Sequence, residues 1–327
     1  MESNELALDI KRISLDLLDK HDQPGEVKQL IDTLYMHFRE VTEMEKYTNQ
    51  MQYMAAVKTQ SGMALSLNHA AECLIDYHRT AQFLRGVVAA IKQKRKDYPG
   101  ETIKVFYAGC GPYAPFMTLV APMFKPEEVK FTLLEINRDS MNLAQKLVST
   151  IGLEAYLEEL YVSDAVTYKV QNPEKFHILF SETLDSLLYR ESYVPILMNM
   201  LPQFPASTTL IPENVVLKLS FGNPINSEIE EEKGVIFDAR KEVSQYLETM
   251  STSDEFPEVV FDLKSEDLKK NIVLDTEVHV YDGINLDRGA SSLTLSYGLN
   301  IDPNKAYHRM VFAYTLKPQV QLNCDFE

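Results

Sequence analysis

Residues that can hold a nucleotide-like cofactor stand near position 109. An apolar run ends in Ala108, Gly109-Cys110-Gly111 follow directly, and Ala114 comes three residues later. This G-x-G-x-x-A pattern is typical of a strand, a sharp turn and the start of a helix, because glycine adopts left-handed backbone angles and lets a ligand approach the main chain. The turn can hold the pyrophosphate of a dinucleotide or the methionine part of S-adenosylmethionine.

Acidic residues follow the next two apolar runs. Glu135 ends the run "FTLLE", and Asp164-Ala165 follow "LYVS". Both cofactor classes need a carboxylate after the second strand, because it accepts hydrogen bonds from ribose hydroxyls. Asp164 can accept one from the exocyclic amine of an adenine. The sequence therefore predicts a cofactor site that includes Glu135, Asp164 and Ala165, although Glu135 could also be a surface carboxylate at a strand end.

Two further carboxylates, Glu182 and Glu191, frame the segment "SETLDSLLYRE" after a fourth apolar run. The carboxyl ends of parallel strands form the ligand-binding edge of an α/β sheet. The plainer alternative is that Glu182 caps a strand end and Glu191 lies on an exposed helix.

These segments resemble the protein arginine methyltransferase family. "SETLDSLLYRE" is similar to the double-glutamate loop of that family, in which eight residues separate a Ser-Glu pair from a second Glu. "DYHRT", residues 76–80, is similar to a helix start whose arginine holds the cofactor carboxylate. "LPQFPASTTLIPENVVLKLSF" is similar to the passage from the cofactor domain into the β-barrel. The resemblance covers roughly residues 70–220 well and the barrel only loosely.

The resemblance implies a class I methyltransferase that uses S-adenosyl-L-methionine and no metal. Glu182 and Glu191 would be the catalytic residues that position the methyl acceptor. Two carboxylates can bind a planar guanidinium from two sides and localise its charge away from the attacking nitrogen, which is otherwise a poor nucleophile. Asp185 would be an extra acid beside them. The implied cofactor-binding residues are Arg79, Ala108, Gly109, Cys110, Gly111, Glu135, Asp164 and Ala165.

The chain departs from the family pattern on the acceptor side. It contains no tryptophan, so the Thr-His-Trp loop of the family is not intact. Tyr113 replaces the third glycine of the turn, and Thr183, Leu184 and Asp185 replace a tryptophan, a methionine and a glycine. The acceptor therefore stays open between a nitrogen, guanidino groups included, and an oxygen of a small molecule or peptide. Protein arginine and a catalytically inactive binding protein are alternatives.

The pattern of elements agrees with an α/β fold. Residues 1–98 carry apolar side chains at helical spacing and end at Pro99-Gly100, which predicts an N-terminal helical region on the substrate side. Residues 99–209 alternate apolar runs with helical stretches, which predicts a Rossmann-like, doubly wound parallel sheet. An NAD-dependent oxidoreductase is disfavoured, since no Tyr-x-x-x-Lys motif or His/Asp dyad follows. Residues 210–327 predict a barrel-like antiparallel β domain with a turn at Asp282-Gly283.

The composition of the chain restricts the classes of ligand and partner that we expect it to bind. The formal net charge of −16 disfavours nucleic acid and suits a cationic acceptor. Three widely spaced cysteines and the scattered histidines give neither a disulfide framework nor a metal motif. The N-terminus lacks the pattern of a signal peptide, and no apolar run is long enough for a membrane span. These features predict a cytoplasmic protein without membrane partners, and they leave a homodimer open.

Overall fold

Helices make up most of the N-terminal part of the chain. The structure, a computed structural model, describes residues 3–48, 50–225, 228–263, 271–302, 305 and 307–327. Apolar side chains at helical spacing are buried on one face of each of the first two helices, which contact each other. The helices are α1 (Ser3–Asp19), α2 (Pro24–Thr42), α3 (Glu45–Thr48), α4 (Leu67–Glu72) and α5 (Tyr77–Asp97).

A short hairpin interrupts this helical part. β1 (Val57–Lys58) pairs antiparallel with β2 (Met63–Ala64). Gly62, with a φ of 98°, lies in the turn between them. The prediction of helix throughout residues 1–98 is therefore wrong here. The physical reason is the run of polar residues before Gly62, which offers no apolar stripe for a helix to bury.

A five-stranded parallel sheet lies at the centre of the fold, in the strand order β5-β4-β3-β6-β7. Its strands are β3 (Ile103–Ala108), β4 (Val129–Glu135), β5 (Leu157–Val162), β6 (Ile178–Ser181) and β7 (Thr209–Ile211). The order of strands reverses at β3, and ligands of α/β proteins bind at such a switch point. Ala108 pairs with Leu134 of β4 and with Ser181 of β6. The residues that follow these strands therefore meet at one edge.

Helices cover the central sheet, which confirms the predicted Rossmann-like class. α5 contacts β3 and β7, and α7 (Arg138–Thr150) contacts β4 and β5. The helix predicted after the glycine turn, α6 (Pro115–Thr118), is only four residues long. Pro122 accounts for its length, because a proline clashes with the carbonyl group four residues before it, here that of Thr118. The last helix of this part is α8 (Tyr193–Met200).

The C-terminal part forms antiparallel sheets, as predicted. β8 (Asn214–Asn223) and β9 (Glu228–Asp238) precede α9 (Ala239–Glu248), a helix that the sequence analysis missed. The remaining strands are β10 (Val259–Asp262), β11 (Ile272–Tyr281), β12 (Ile284–Leu286), β13 (Tyr297–Leu299), β14 (Arg309–Thr315) and β15 (Gln321–Phe326). One sheet has the order β12-β11-β8-β9 with β13 beside β11, and the other has the order β10-β14-β15.

The predicted turn at Asp282-Gly283 joins β11 to β12, and both residues have positive φ angles, 45° and 78°. Two such residues in a row are typical of a tight hairpin turn.

The domain boundaries at 98/99 and 209/210 stay predictions. None of the described helices has both the length and the apolar character that crossing a membrane would need.

Gly86 lets α5 lie close to β11. A Cβ atom added at Gly86 would lie 2.5 Å from Cγ1 of Val280, whose stiff, β-branched side chain is fully buried. We expect Gly86→Ala to lower the free energy of unfolding by about 1–3 kcal/mol through overpacking. Urea denaturation measures the change. Gly25→Ala is the control, because no atom lies within 4 Å of its added Cβ. Equal stability of the two variants would contradict this close contact.

Candidate active site

The glycine turn lies at the carboxyl end of β3. Gly109 and Gly111 have φ angles of 75° and 64°, which favour glycine. The amide of Gly109 donates a hydrogen bond to the carbonyl oxygen of Leu134, at 2.8 Å. A Cβ atom on Gly109 would lie 2.3 Å from Cγ2 of Thr183, so the loop after β6 packs directly against the turn. The turn is therefore fixed from both neighbouring strands.

Glu135 lies at the end of β4 and connects this strand to the glycine turn. Its Oε2 accepts a hydrogen bond from the amide of Gly111 at 2.8 Å, and its Oε1 accepts one from the amide of Asn137 at 2.9 Å. The residue is only 7% exposed, which excludes the alternative of a surface carboxylate. Burial raises the pKa of Glu135, and the amides of Asn137 and Gly111 oppose that shift.

Asp164 lies after β5 and holds the N-terminal hairpin. Its Oδ1 accepts a hydrogen bond from the amide of Val166 at 2.9 Å, and its Oδ2 accepts one from the amide of Gln60 at 2.7 Å. Gln60 lies between β1 and β2, so the hairpin is drawn over the carboxyl edge of the sheet. Met63 of β2 lines the same cavity as Asp164. The sequence analysis missed this hairpin because its contacts are with distant parts of the chain.

Arg79 and Glu182 form a buried ion pair. The side chain of Asp76 caps α5 by accepting a hydrogen bond from the amide of Arg79 at 3.3 Å. The Nε of Arg79 donates to Oε1 of Glu182, and the two side chains are 5% and 9% exposed. Burial raises the pKa of Glu182, and the charge of Arg79 opposes that shift. The structure thus joins two residues that the sequence analysis assigned to different ligands.

The side chain of Glu191 is buried and has no bonded partner among the described residues. It is 8% exposed, so it does not lie on an exposed helix. Within the described ranges, its carboxylate makes neither a hydrogen bond nor an ion pair. Burial raises its pKa to about 8, and the charge of Asp185 adds to that shift. Asp185 accepts a hydrogen bond from the amide of Arg190 at 2.8 Å through Oδ2, while its Oδ1 is buried without a partner.

The C-terminal sheets shape the loop that carries these acids. Leu187 and Leu188 have φ angles of 61° and 51°, which cost free energy in residues other than glycine. The amide of Leu187 donates a hydrogen bond to Oγ1 of Thr276 at 2.9 Å, and the hydroxyl of Tyr314 donates one to the carbonyl oxygen of Leu188 at 2.7 Å. No local sequence signal identifies Thr276 or Tyr314 as positioning residues, because both act from distant strands.

The predicted site residues surround one cavity of about 970 Å³, a volume that includes space open to solvent. Buried aromatic rings of Tyr107 and Tyr113 contribute to its wall. Of the predicted residues, Ala108 and Asp185 are not part of the lining. The charged residues among the described lining are Arg79, Glu135, Asp164, Glu182 and Glu191.

A second, more open cleft adjoins this cavity, and Leu65, Cys73, Arg79 and Glu191 line both. Residues 289–293 form its outer wall. Asp76 fixes the position of this segment, because its Oδ2 accepts hydrogen bonds from the hydroxyls of two adjacent serines, Ser291 at 2.8 Å and Ser292 at 2.7 Å. In the part of the chain that the structure describes, no three His, Cys, Asp or Glu residues are grouped as a metal site.

The raised pKa of Glu191 predicts how stability depends on pH. Folding moves this pKa from its ordinary value of 4.5 to about 8, so the folded state binds the proton more tightly than the unfolded state. The contribution of Glu191 to stability is therefore complete below about pH 4.5 and is lost as the pH rises to about 8, by at most about 1.4 kcal/mol per pH unit.

Urea denaturation between pH 4.5 and 8 tests this dependence. We expect Glu191→Gln to flatten the decline in the free energy of unfolding across that range, because glutamine does not titrate. Glu101→Gln, which replaces a largely exposed carboxylate, is the control and should follow the wild-type profile. Parallel profiles for wild type and Glu191→Gln would show that Glu191 titrates normally.

No protein-family model matches the chain, and no curated protein sequence matches it. Among solved structures, it is similar to the Trypanosoma brucei PRMT1 enzyme-prozyme heterotetrameric complex with AdoHcy. Identity is 13%, the TM-score is 0.48, and the match covers 78% of this chain and 92% of that chain. The chain is also similar to the cyclase SpnF, with 14% identity, a TM-score of 0.32, and coverage of 45% of this chain and 48% of that chain.

Proposed function

We propose that the chain is an S-adenosyl-L-methionine-dependent methyltransferase that acts on a nitrogen or oxygen of a small molecule or peptide. The observation that supports this most directly is the cavity at the switch point of the parallel sheet, where the glycine turn, Glu135 and Asp164 line one space. The turn would face the methionine part of the cofactor. Glu135 would accept hydrogen bonds from the ribose hydroxyls, and Asp164 one from the adenine amine.

Charge favours a sulfonium cofactor over a dinucleotide. Four carboxylates line the cavity, and Arg79, the basic residue among the described lining, is already paired with Glu182. A pyrophosphate would meet this excess of negative charge, whereas a sulfonium is attracted by it. The amide of Gly111 donates to Glu135 and so is not free for a phosphate. α6 is too short to contribute much of a helix dipole.

The residues between the cavity and the cleft would align the acceptor and take its proton. S-adenosylmethionine supplies a methyl group on a positively charged sulfur, which becomes a neutral thioether when a lone pair of the acceptor takes the methyl carbon. Alignment of the acceptor can supply much of the rate of such a displacement. Glu191 lines both spaces and, with a pKa of about 8, can accept the proton that the acceptor nitrogen or oxygen loses.

The open cleft supports an acceptor that carries positive charge. Four acidic residues line it, Glu72 and Asp76 from the segment around the start of α5 and Asp185 and Glu191 from the loop after β6. Protein arginine is one candidate, and it rests on the resemblance of residues 181–191 to the double-glutamate loop. A catalytically inactive binding protein is the alternative, because the pairing of Arg79 with Glu182 engages two site residues with each other.

Calorimetric titration with S-adenosylhomocysteine, and with NAD in a parallel experiment, tests the proposed function. We expect binding of S-adenosylhomocysteine on the order of micromolar and no binding of NAD. Binding of NAD alone would refute the cofactor assignment. Transfer of a labelled methyl group to a panel of amines, guanidines and alcohols then separates an active enzyme from an inactive relative, which would bind the cofactor product without turnover.

A further inference from the structure

Tyr107 lies in the wall of the cavity, near the end of β3. It is the residue before Ala108, the last of that strand, and its side chain is almost fully buried, with 1% of the residue exposed. Its ring packs against the ring of Phe180, with centroids 4.6 Å apart, and against that of Phe116, at 6.3 Å. Close packing of this kind holds a side chain in one position. The strand end that carries the glycine turn therefore also fixes the hydroxyl of Tyr107.

The hydroxyl of Tyr107 is available to a ligand. Within the described ranges it makes no hydrogen bond, and its oxygen is not closed off from the cavity that Tyr107 lines. The hydroxyl oxygen of Tyr113, in contrast, is closed off and has no partner among the described residues. A polar group that lacks a partner in a buried site costs free energy. The free hydroxyl of Tyr107 therefore points to a ligand that bonds to it.

Tyr107 acts as a hydrogen-bond donor at physiological pH. Burial raises the pKa of Tyr107 well above its ordinary value, and the charge of Glu182 adds to that shift. The phenol therefore keeps its proton, and a neutral phenol donates one hydrogen bond. A negatively charged oxygen is the acceptor that gives the strongest bond to such a donor.

Arg79 brings further donors to the same part of the cavity. Its Nε donates to Glu182, whereas its Nη1 and Nη2 donate to no described residue. The charge of Arg79 also acts on Tyr107, and both residues line the cavity. The ion pair with Glu182 therefore leaves one edge of the guanidinium for a ligand, beside the hydroxyl of Tyr107.

A carboxylate is the anion that suits these donors and the charge of the cavity. A planar carboxylate accepts hydrogen bonds on both oxygens, so it fits a guanidinium edge together with a hydroxyl. The methionine part of S-adenosylmethionine carries a carboxylate beside an ammonium, and the two charges offset each other. A phosphate lacks that ammonium, and the four carboxylates of the lining would repel it.

We propose that the hydroxyl of Tyr107 donates a hydrogen bond to the carboxylate of the cofactor, and that Tyr107 thereby selects cofactors that keep this group. The proposal rests on the proposed function, since it adds a specificity-determining residue to the same site. The resemblance to arginine methyltransferases implies Arg79 for this carboxylate and does not include Tyr107. A site with a buried donor rejects ligands that leave the donor unpaired.

Calorimetry with three ligands on the full chain tests this role. S-adenosylhomocysteine has the complete amino-acid end, decarboxylated S-adenosylhomocysteine keeps only the ammonium, and methylthioadenosine lacks both groups. We expect Tyr107→Phe to weaken the binding of S-adenosylhomocysteine by about 10-fold or more, because it removes one hydrogen bond to a charged group. The other two ligands should bind the variant as they bind wild type.

Phenylalanine keeps the ring that packs against Phe180 and Phe116, and circular dichroism checks that the variant is folded. Methylthioadenosine is a second check, because its binding reports an intact adenosine half of the site. Tyr193→Phe is the matched control. Tyr193 is fully buried on α8, its hydroxyl has no partner among the described residues, and it does not line the cavity. It should leave the affinity for all three ligands unchanged.

The outcomes separate this inference from the proposed function. Failure of S-adenosylhomocysteine to bind wild type refutes the proposed function. If it binds, wild-type affinity of Tyr107→Phe for this ligand overturns the inference alone. Weaker binding of the decarboxylated ligand by the same factor would mean that the hydroxyl serves the ammonium, and an equal loss of all three ligands would mean that Tyr107 only supports the fold. Either result overturns the inference, whereas a loss confined to S-adenosylhomocysteine supports it.

Discussion

Glu135→Ala is expected to weaken the binding of S-adenosylhomocysteine by about 100-fold or more. The carboxylate fixes the amides of Gly111 and Asn137, at 2.8 and 2.9 Å, and faces the cavity that would hold the ribose. Alanine removes both acceptors, so the glycine turn loses its side-chain link to β4 and keeps only the backbone hydrogen bonds to Leu134. A hydrogen bond to a charged group contributes about 1.5–3 kcal/mol, and about 2.8 kcal/mol already corresponds to a 100-fold change in affinity.

Calorimetry on two further variants separates a lost ligand contact from a damaged fold. Glu135→Gln keeps one acceptor oxygen, so we expect it to bind with intermediate affinity. Glu101→Ala removes a largely exposed carboxylate before β3, at the opposite edge of the sheet, and should bind as wild type does. Circular dichroism checks that all three proteins are folded. A folded Glu135→Ala protein with wild-type affinity would contradict the assignment of Glu135 to the cofactor.

The edge of the central sheet was predictable because it depends on local patterns. Gly109, Glu135 and Glu182 each end or follow a short apolar run that is typical of a buried strand in a parallel sheet. The register of the strands then makes Ala108, Leu134 and Ser181 neighbours across β3, β4 and β6. Knowing where each strand ends is therefore enough to bring these residues together. This is why so many of the predicted residues line one cavity.

The contacts that bring distant parts of the chain together around the site were not predictable from local patterns. Arg79 and Glu182 lie 103 residues apart, and Tyr314 and Leu188 lie 126 apart. Such pairs depend on how α5 and the C-terminal sheets pack against the loop after β6, and no periodic pattern reports that packing. The burial of Glu191 belongs to the same class. A charged residue in a polar stretch is usually exposed. The sequence alone therefore gives no reason to expect that the tertiary structure buries Glu191.

Arg79→Met is expected to lower the free energy of unfolding by about 3–5 kcal/mol. Methionine fills a similar volume but leaves the carboxylate of Glu182 buried without its counter-ion. Glu182 would then bind a proton more readily, so the loss should be smaller at pH 5 than at pH 8. Urea denaturation at the two pH values measures both effects. Arg95→Met is the control, because its partner Glu128 and Arg95 itself are partly exposed, and such pairs contribute about 0–1 kcal/mol.

A double variant distinguishes a structural role of Arg79 from a role in binding. Arg79→Met with Glu182→Gln leaves no buried charge in the pair, so it should recover much of the stability that Arg79→Met loses. If Arg79 also holds the carboxylate of the cofactor, the double variant stays unable to bind S-adenosylhomocysteine despite its recovered stability. Recovery of both properties would mean that Arg79 serves Glu182 alone. Recovery of neither would mean that the two residues do not act as a pair, because the cost of losing Arg79 would then have another source.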